Sequence, residues 1–368
     1  MNHNTYKLLT PGPLTTTETV KEQMLSDRCT WDRDYKDITQ EIRAELLELA
    51  HVGPDDYTTV LMQGSGTFGV ESVLTSVPGK NDKVLVIVNG AYSKRMCDIL
   101  RMAGIASCAV EFAWNEVPDA QRIAQALDAD KSITMVAMVH SETTSGLLND
   151  IAAAAHVVKA RGLAFIVDAM SSFGGVDIDV GALGIDFIIS SANKCIQGVP
   201  GFSFIIARKS ALIASKGNAR SLSLDLFDQW ETMEKSGGKW RFTSPTHVVA
   251  AFRQALKELK AEGGIAARHA RYSRCGQMLR SGMAALGFTP YICEKDQGPI
   301  ITTFLYPADF EIDFPKMHAF LKENGYVIYP GKLTDIETFR LGNIGEIYPE
   351  DIEKILALFK QYKEMTHG

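Results

Sequence analysis

Short apolar runs alternate with amphipathic segments from about residue 60 to 210, after a polar N-terminal arm and a helical stretch around residues 38–50. The apolar runs are rich in Val and Ile and end at turn residues, which is typical of buried strands: KVLVIVNG, SCAVEFAW, ITMVAMVHSE, LAFIVDAM, IDFIISSANK and GFSFIIARK. Helical candidates lie between them, such as SKRMCDILRMAG and DIAAAAHVVKARG, the second with Asp150 as its N-cap and Gly162 at its close. This alternation predicts an α/β fold with a mostly parallel sheet flanked by helices.

A different pattern follows this region. Two helices are predicted at about 245–260 and 263–286, and from residue 287 the runs ITTFLYP, GYVIYPG and TFRLGNIG predict short strands before a final amphipathic helix, PEDIEKILALFKQYKEM. We therefore predict a large domain over residues 21–286 and a small α+β C-terminal domain over residues 287–368. The N-terminal arm, residues 1–20, is assigned to the small domain. Because no long linker separates the two parts, we expect them to pack closely around a cleft.

The composition of the chain argues against several classes of protein. The chain has 368 residues, 46% of them apolar, which suffices for a buried core, and its net charge of -6 is spread along the sequence, which argues against nucleic-acid binding. The cysteines, at positions 29, 97, 108, 195, 275 and 293, form no C-x-x-C pair, so we expect free thiols and no metal site. The segment MNHNTYKLLTPGPL lacks the apolar stretch of a signal peptide, and no run is long enough to span a membrane. We expect a cytoplasmic protein.

A glycine-rich turn follows one of the predicted strands, in VLMQGSGTFGVES. Ligands of open parallel sheets bind at the carboxyl ends of the strands. Gly64 and Gly66 allow close backbone approach, the next helix offers free N–H groups, and Ser65 and Thr67 add hydroxyl donors. The turn therefore has the chemistry of a phosphate site, although a tight turn without a ligand explains it as well.

Asp168 and Lys194 end two further apolar runs, AFIVDA and FIISSANK. A buried carboxylate requires a cation or several donors, and a lysine becomes a useful amine when burial lowers its pKa. A carboxylate that caps its own turn and a solvated surface lysine are the alternatives. Taken together with the phosphate site, the two residues fit one ligand that carries a phosphate, a basic nitrogen and an aldehyde.

Several segments carry a resemblance to a known family: MQGSGTFGVE, VHSETTSG, DAMSSFGG, SSANKCIQGVPGFSF and FTSPTHVVAAFRQAL. The sequence resembles fold-type I pyridoxal-phosphate (PLP) enzymes, in the alanine–glyoxylate aminotransferase branch of class V, from LLTPGPL through FRLGNIG. The resemblance implies that Lys194 holds PLP as a Schiff base and later acts as general base. It also implies that Asp168 keeps the ring nitrogen of PLP protonated.

The same resemblance implies further cofactor contacts. Ser65, Gly66 and Thr67 would bind the phosphate, Tyr92 would stack on the pyridine ring, and Thr143 would lie near the ring hydroxyl; Asn193 and Thr243 would be further phosphate-side contacts. Thr243 comes from the partner subunit in this family, so a homodimer with shared sites is implied. Tyr92 as a core aromatic and Thr143 as a turn residue are the alternatives.

Arg340, in TFRLGN, matches the arginine that these enzymes use to grip an acidic group of the substrate. A salt bridge with Glu337 or Glu346 at the rim is the alternative. The resemblance implies a reaction that moves the amino group of 2-aminoethylphosphonate to pyruvate, and an alanine- or serine-specific aminotransferase acting on glyoxylate or pyruvate is the nearest alternative. A PLP lyase, with Cys293 as reactive thiol, and a non-enzymatic anion-binding protein are the more distant ones.

Overall fold

The computed structural model of the chain describes residues 6–307, 310–331, 333 and 336–367, so the first five residues of the predicted arm lie outside the described part. Within these residues the helices are α1 (Glu18–Glu22), α2 (Arg33–Leu49), α3 (Gly66–Ser76), α4 (Ala91–Met102), α5 (Ala120–Ala129), α6 (Ile151–Lys159), α7 (Lys209–Ala214), α8 (Leu226–Lys235), α9 (Thr246–Glu262), α10 (Gly264–Ala285), α11 (Phe314–Glu323) and α12 (Pro349–His367). No helix in the described ranges combines the length and the apolar character that crossing a membrane requires.

The strands follow the predicted apolar runs closely. They are β1 (Lys7–Leu8), β2 (Tyr57–Gln63), β3 (Val84–Val88), β4 (Ser107–Glu111), β5 (Met135–Val139), β6 (Ser141–Glu142), β7 (Leu147–Leu148), β8 (Ala164–Asp168), β9 (Phe187–Ser191), β10 (Phe202–Arg208), β11 (Thr289–Pro290), β12 (Ile301–Leu305), β13 (Tyr326–Val327), β14 (Tyr329–Pro330) and β15 (Thr338–Gly342). Short elements such as β1, β6, β7, β11 and α7 were not among the predictions, because two-residue strands and isolated helical turns carry little periodicity. The ten-residue helix α8 was not predicted either.

The central sheet has the strand order β2-β10-β9-β8-β5-β3-β4. Neighbouring strands from β9 to β4 are parallel, whereas β10 is antiparallel to both β9 and β2. The prediction of a mostly parallel sheet is therefore confirmed. The connection between β9 and β10 contains no helix, and a parallel pairing of consecutive strands requires a longer crossover. Because β2 reverses direction once more, its carboxyl end lies at the same edge as those of β3, β5, β8 and β9.

Both faces of this sheet are buried under helices. In β3, Leu85 and Ile87 belong to one apolar cluster, whereas Val84, Val86 and Val88 belong to the cluster on the opposite face. The side chains of a strand alternate between faces, so a run that is apolar at every position must be covered on both sides. The helices on the two faces leave the carboxyl edge of the sheet as the place for a site.

The C-terminal region contains the antiparallel sheet β11-β12-β15-β14 and the helices α11 and α12. The first strand of the arm, β1, pairs in parallel with β13 of this region. Helix α10 contributes Leu279 and Met283 to the same apolar cluster as Ile352 and Phe359 of α12. The boundary at residue 286 stays a prediction, and α10 packs against elements on either side of it.

Candidate active site

A cavity of about 460 Å³ lies at the carboxyl edge of the central sheet. The sheet topology places the segments after β2, β3, β5, β8 and β9 around it, since these strands end at the same edge. Its lining comprises Gly64, Ser65, Gly66, Thr67, Tyr92, Arg95, Val139, Ser141, Thr143, Asp168, Met170, Ser171, Ser191, Asn193, Lys194, Pro200 and Gly201. The predicted site residues are therefore brought together, with the exception of Thr243 and Arg340.

The N-terminus of α3 faces this cavity. Ser65 is its N-cap and makes no side-chain capping bond, and the backbone N–H groups of Gly66 and Thr67 find no acceptor among the described residues. A Cβ atom at Gly66 would overlap the end of the Met170 side chain, so any residue other than glycine would have to displace Met170 at the cavity wall. Free N–H groups at the positive end of a helix bind anions. The turn offers an anion site.

Asp168 lies at the end of β8 with 5% of its surface exposed. Its Oδ1 accepts a hydrogen bond from the backbone N–H of Met170 at 2.8 Å, and it makes no ion pair within the described ranges. Burial raises the pKa of this carboxyl to about 7; the nearby charge of Glu142 adds to the effect, and those of Lys194 and Arg95 oppose it. The turn-capping alternative explains one hydrogen bond but leaves the carboxylate without a cation.

Lys194 follows β9 in a turn that is closed by a hydrogen bond of 2.7 Å from the backbone N–H of Gln197 to its carbonyl. Its Nζ donates to the carbonyl of Pro11 at 2.8 Å, and a Cβ atom at Gly12 would lie 2.5 Å from that nitrogen. Burial lowers the pKa of Lys194 to about 8. The amine is therefore largely enclosed by the N-terminal arm and loses its proton at a lower pH than an ordinary lysine does.

Glu142 fixes the beginning of α4, which carries Tyr92. Its Oε1 accepts hydrogen bonds from the backbone N–H groups of Tyr92 at 3.1 Å and Ser93 at 3.0 Å, and from the Ser93 hydroxyl at 3.1 Å. Burial raises the pKa of Glu142, while these donors oppose the effect. A Cβ atom at Gly90 would lie 2.3 Å from the carboxyl carbon of Glu142, which explains the glycine before the helix. The Tyr92 ring is thereby held at the cavity wall.

Arg340 lies on β15 with 3% of its surface exposed. Its Nη1 donates to the carbonyl of Thr143 at 3.1 Å and its Nε to that of Pro330 at 3.0 Å, while its guanidinium carbon lies 5.0 Å from the centroid of the Tyr329 ring. In the part of the chain that the structure describes it forms no ion pair, so the rim salt bridge with a glutamate is wrong. The bond to Thr143, a cavity residue, places its charge beside the cavity.

The remaining predicted cofactor contacts, Asn193 and Thr243, lie in different parts of the structure. Asn193, half-buried, lines the cavity next to Lys194. Thr243 is exposed and lies outside the cavity of its own chain, next to the exposed ring of Phe242.

Comparison with known proteins agrees with this geometry. The family model described as Aminotransferase class-V matches residues 20–334. The chain belongs to the class-V aminotransferase family. It is 55% identical to a protein of Lysinibacillus sphaericus and 54% identical to one of Bacillus cereus, both named 2-aminoethylphosphonate–pyruvate transaminase, over 97% of each chain. Among solved structures, it resembles pyridoxamine–pyruvate aminotransferase from Mesorhizobium loti with a TM-score of 0.90 and 22% identity, covering 100% of this chain and 94% of that one.

Several residues at the site of this class-V aminotransferase were not predicted from the sequence. Arg95 and Ser191 line the cavity, and the Ser191 hydroxyl is buried without a hydrogen-bond partner among the described residues. Glu142 is fully buried behind Tyr92. Ser191 and Glu142 follow apolar runs, so the rule that identified Asp168 applies to them as well. This rule could not identify Arg95, because Arg95 lies within a helix and not after an apolar run.

Proposed function

We propose that the chain transfers the amino group of 2-aminoethylphosphonate to pyruvate and yields phosphonoacetaldehyde and L-alanine, with PLP as cofactor. The observation that carries the proposal is the joint placement of Asp168, Lys194 and the α3 N-terminus around one cavity. The names of relatives that match 97% of the chain supply the substrate pair.

The residues at the cavity fit PLP. The N–H groups of Gly66 and Thr67 and the hydroxyl of Ser191 meet no partner in the described part of the chain and suit the phosphate of PLP. The carboxylate of Asp168, which lacks a cationic partner within the described ranges, suits a protonated ring nitrogen. When bound, PLP supplies an aldehyde that condenses with amines and a ring that takes up the electron pair of a broken C–H bond.

Lys194 has two roles in this proposal. Its amine would hold PLP through the aldehyde and would be freed when the amino group of the substrate binds. The freed Nζ would then accept the proton of the carbon that bears the substrate nitrogen and would return a proton later in the reaction. A pKa of about 8 keeps a usable fraction of this amine neutral near pH 7. The bond broken is C–H, because 2-aminoethylphosphonate carries no carboxyl group on that carbon.

Asp168 and Arg340 support this proton transfer by charge. The Asp168 carboxylate keeps the ring nitrogen protonated, which makes the ring a better acceptor of electrons. The buried guanidinium of Arg340 suits the phosphonate of one substrate and the carboxylate of the other, since both accept two parallel hydrogen bonds. Its two hydrogen bonds to carbonyls hold the group in place beside the cavity.

We also propose that the enzyme works as a homodimer in the cytoplasm. Thr243 is exposed next to Phe242, and Phe68, beside the phosphate turn, is 50% exposed. Exposed aromatic rings around a shallow pocket suit a subunit interface. A second copy would cover these rings, and its Thr243 would reach the phosphate side of the site. Sedimentation of wild type and Phe242→Asp tests this, since a monomeric wild type would contradict it.

A substrate-profile assay tests the reaction. Purified protein with PLP should form alanine from pyruvate when 2-aminoethylphosphonate is the amino donor. The alternative, an alanine or serine aminotransferase, predicts no alanine with that donor and turnover with serine or alanine and glyoxylate. Activity confined to the second set would reject the proposed substrates while it leaves the cofactor assignment intact.

A further inference from the structure

Arg95 joins two parts of the cavity wall. It lies on α4, one helical turn after Tyr92, and its guanidinium carbon is 5.0 Å from the centroid of the Tyr92 ring. Its Nη1 donates to the hydroxyl of Thr67 at 3.0 Å, and Thr67 belongs to the first turn of α3. The guanidinium therefore lies beside the free backbone N–H groups of Gly66 and Thr67.

Most hydrogen-bonding capacity of this guanidinium is unused. The group has five N–H donors in a fixed plane, and within the described ranges the Thr67 hydroxyl is the acceptor it meets. Arg101, on the same helix, pairs with Asp98 at 3.0 Å, and Arg340 donates to two carbonyls. Arg95 forms no ion pair with any carboxylate of the described residues, although it is half-buried and lines the cavity.

A phosphate bound at the N-terminus of α3 would favour a cation at this position. Arg95, Asp168 and Lys194 are the charged members of the lining that the structure describes. Lys194 is engaged with the carbonyl of Pro11 and is the residue that must capture an aldehyde. A phosphate monoester carries nearly two negative charges near pH 7, whereas a helix N-terminus supplies about half a positive charge. Neutral donors and the helix end leave most of the phosphate charge unbalanced.

We propose that Arg95 binds the phosphate group of PLP and supplies the positive charge of the phosphate site. The inference rests on the proposed function. The hydrogen bond to Thr67 sets the distance to the α3 N-terminus, and the contact with Tyr92 holds the guanidinium plane against the ring. One residue of α4 thereby links the phosphate site to the aromatic wall of the cavity.

Equilibrium dialysis of the cofactor-free protein with PLP and with pyridoxal, which lacks the phosphate, tests the assignment. Arg95→Gln should weaken PLP binding about tenfold to a hundredfold, the range for a lost hydrogen bond to a charged group, and leave pyridoxal binding unchanged. Arg95→Lys keeps the charge but not the planar fork, so its loss should be intermediate. Arg101→Gln is the matched control on the same helix and should bind both compounds like wild type.

Other outcomes overturn the assignment. An equal loss for PLP and pyridoxal would show that Arg95 acts only through the Tyr92 ring. Unchanged PLP affinity with a raised KM for 2-aminoethylphosphonate would assign the guanidinium to the phosphonate of the substrate instead. Unchanged PLP affinity together with an unchanged KM for 2-aminoethylphosphonate would show that Arg95 binds neither anion. If wild type binds no PLP, both the proposed function and this assignment fail. If wild type binds PLP tightly and Arg95→Gln binds it with the same affinity, only the assignment is rejected.

Discussion

Substitution of Asp168 by Asn tests the buried carboxylate at the centre of the site. Burial raises its pKa from 3.8 to about 7, whereas in the unfolded chain the group titrates near its ordinary value. Between these two pH values the folded protein binds the proton more tightly than the unfolded chain does, so the folded state loses stability as the pH rises through this window. At about 1.4 kcal/mol for each pH unit, the loss reaches about 4 kcal/mol above pH 7.

Cofactor-free Asp168→Asn should therefore be more stable than cofactor-free wild type, by up to about 4 kcal/mol at pH 8 and by about 2 kcal/mol at pH 5. The amide oxygen of Asn can still accept the bond from Met170, so the local turn is preserved. Urea unfolding at both pH values measures the difference, at one protein concentration because the proposed dimer would make stability depend on concentration. Turnover should fall sharply in the same variant, since the ring nitrogen loses its carboxylate partner.

Asp186→Asn provides the control. Its carboxylate is equally buried but pairs with Lys159 at 2.7 Å and Arg208 at 2.9 Å, so its replacement should destabilise the protein at both pH values. Saturating PLP should stabilise wild type more than Asp168→Asn, because only the carboxylate pairs with a cationic ring. The reasoning is refuted if Asp168→Asn is no more stable than wild type at pH 8, or if its advantage does not grow between pH 5 and pH 8.

Three further substitutions test the other parts of the site. Lys194→Ala should abolish the near-visible absorption of the PLP-loaded protein and lower turnover about 10²- to 10⁴-fold; a retained band would assign the cofactor to another lysine. Gly66→Ala should weaken PLP binding, because its Cβ would lie 2.2 Å from Met170, whereas Gly53→Ala, with nothing within 4 Å, should bind normally. Arg340→Gln should raise the KM for 2-aminoethylphosphonate about tenfold to a hundredfold with unchanged PLP affinity, and an unchanged KM would contradict its role.

The sequence by itself determined the central strands and the polar residues that end them. A strand that is buried on both faces appears in the sequence as a short continuous apolar run, as in β3 and in β8 up to Asp168. Because strand ends of a parallel sheet meet at one edge, Asp168 and Lys194 could be placed at a common site before any contact was known. The resemblance then implied the cofactor and its further contacts.

The tertiary structure decided the features that depend on distant pairings. The pairing of β10 with β2, the pairing of β1 with β13 and the closure of the Pro11 carbonyl over Lys194 join segments far apart in the chain. These pairings are stabilised by contacts between distant segments. The hydrophobic pattern within one segment does not indicate which distant segment it will contact after the loop closes. For the same reason Arg95 reads as an ordinary helix residue in the sequence. Only its position beside Thr67 in the fold shows a charge at the cavity that meets no carboxylate among the described residues.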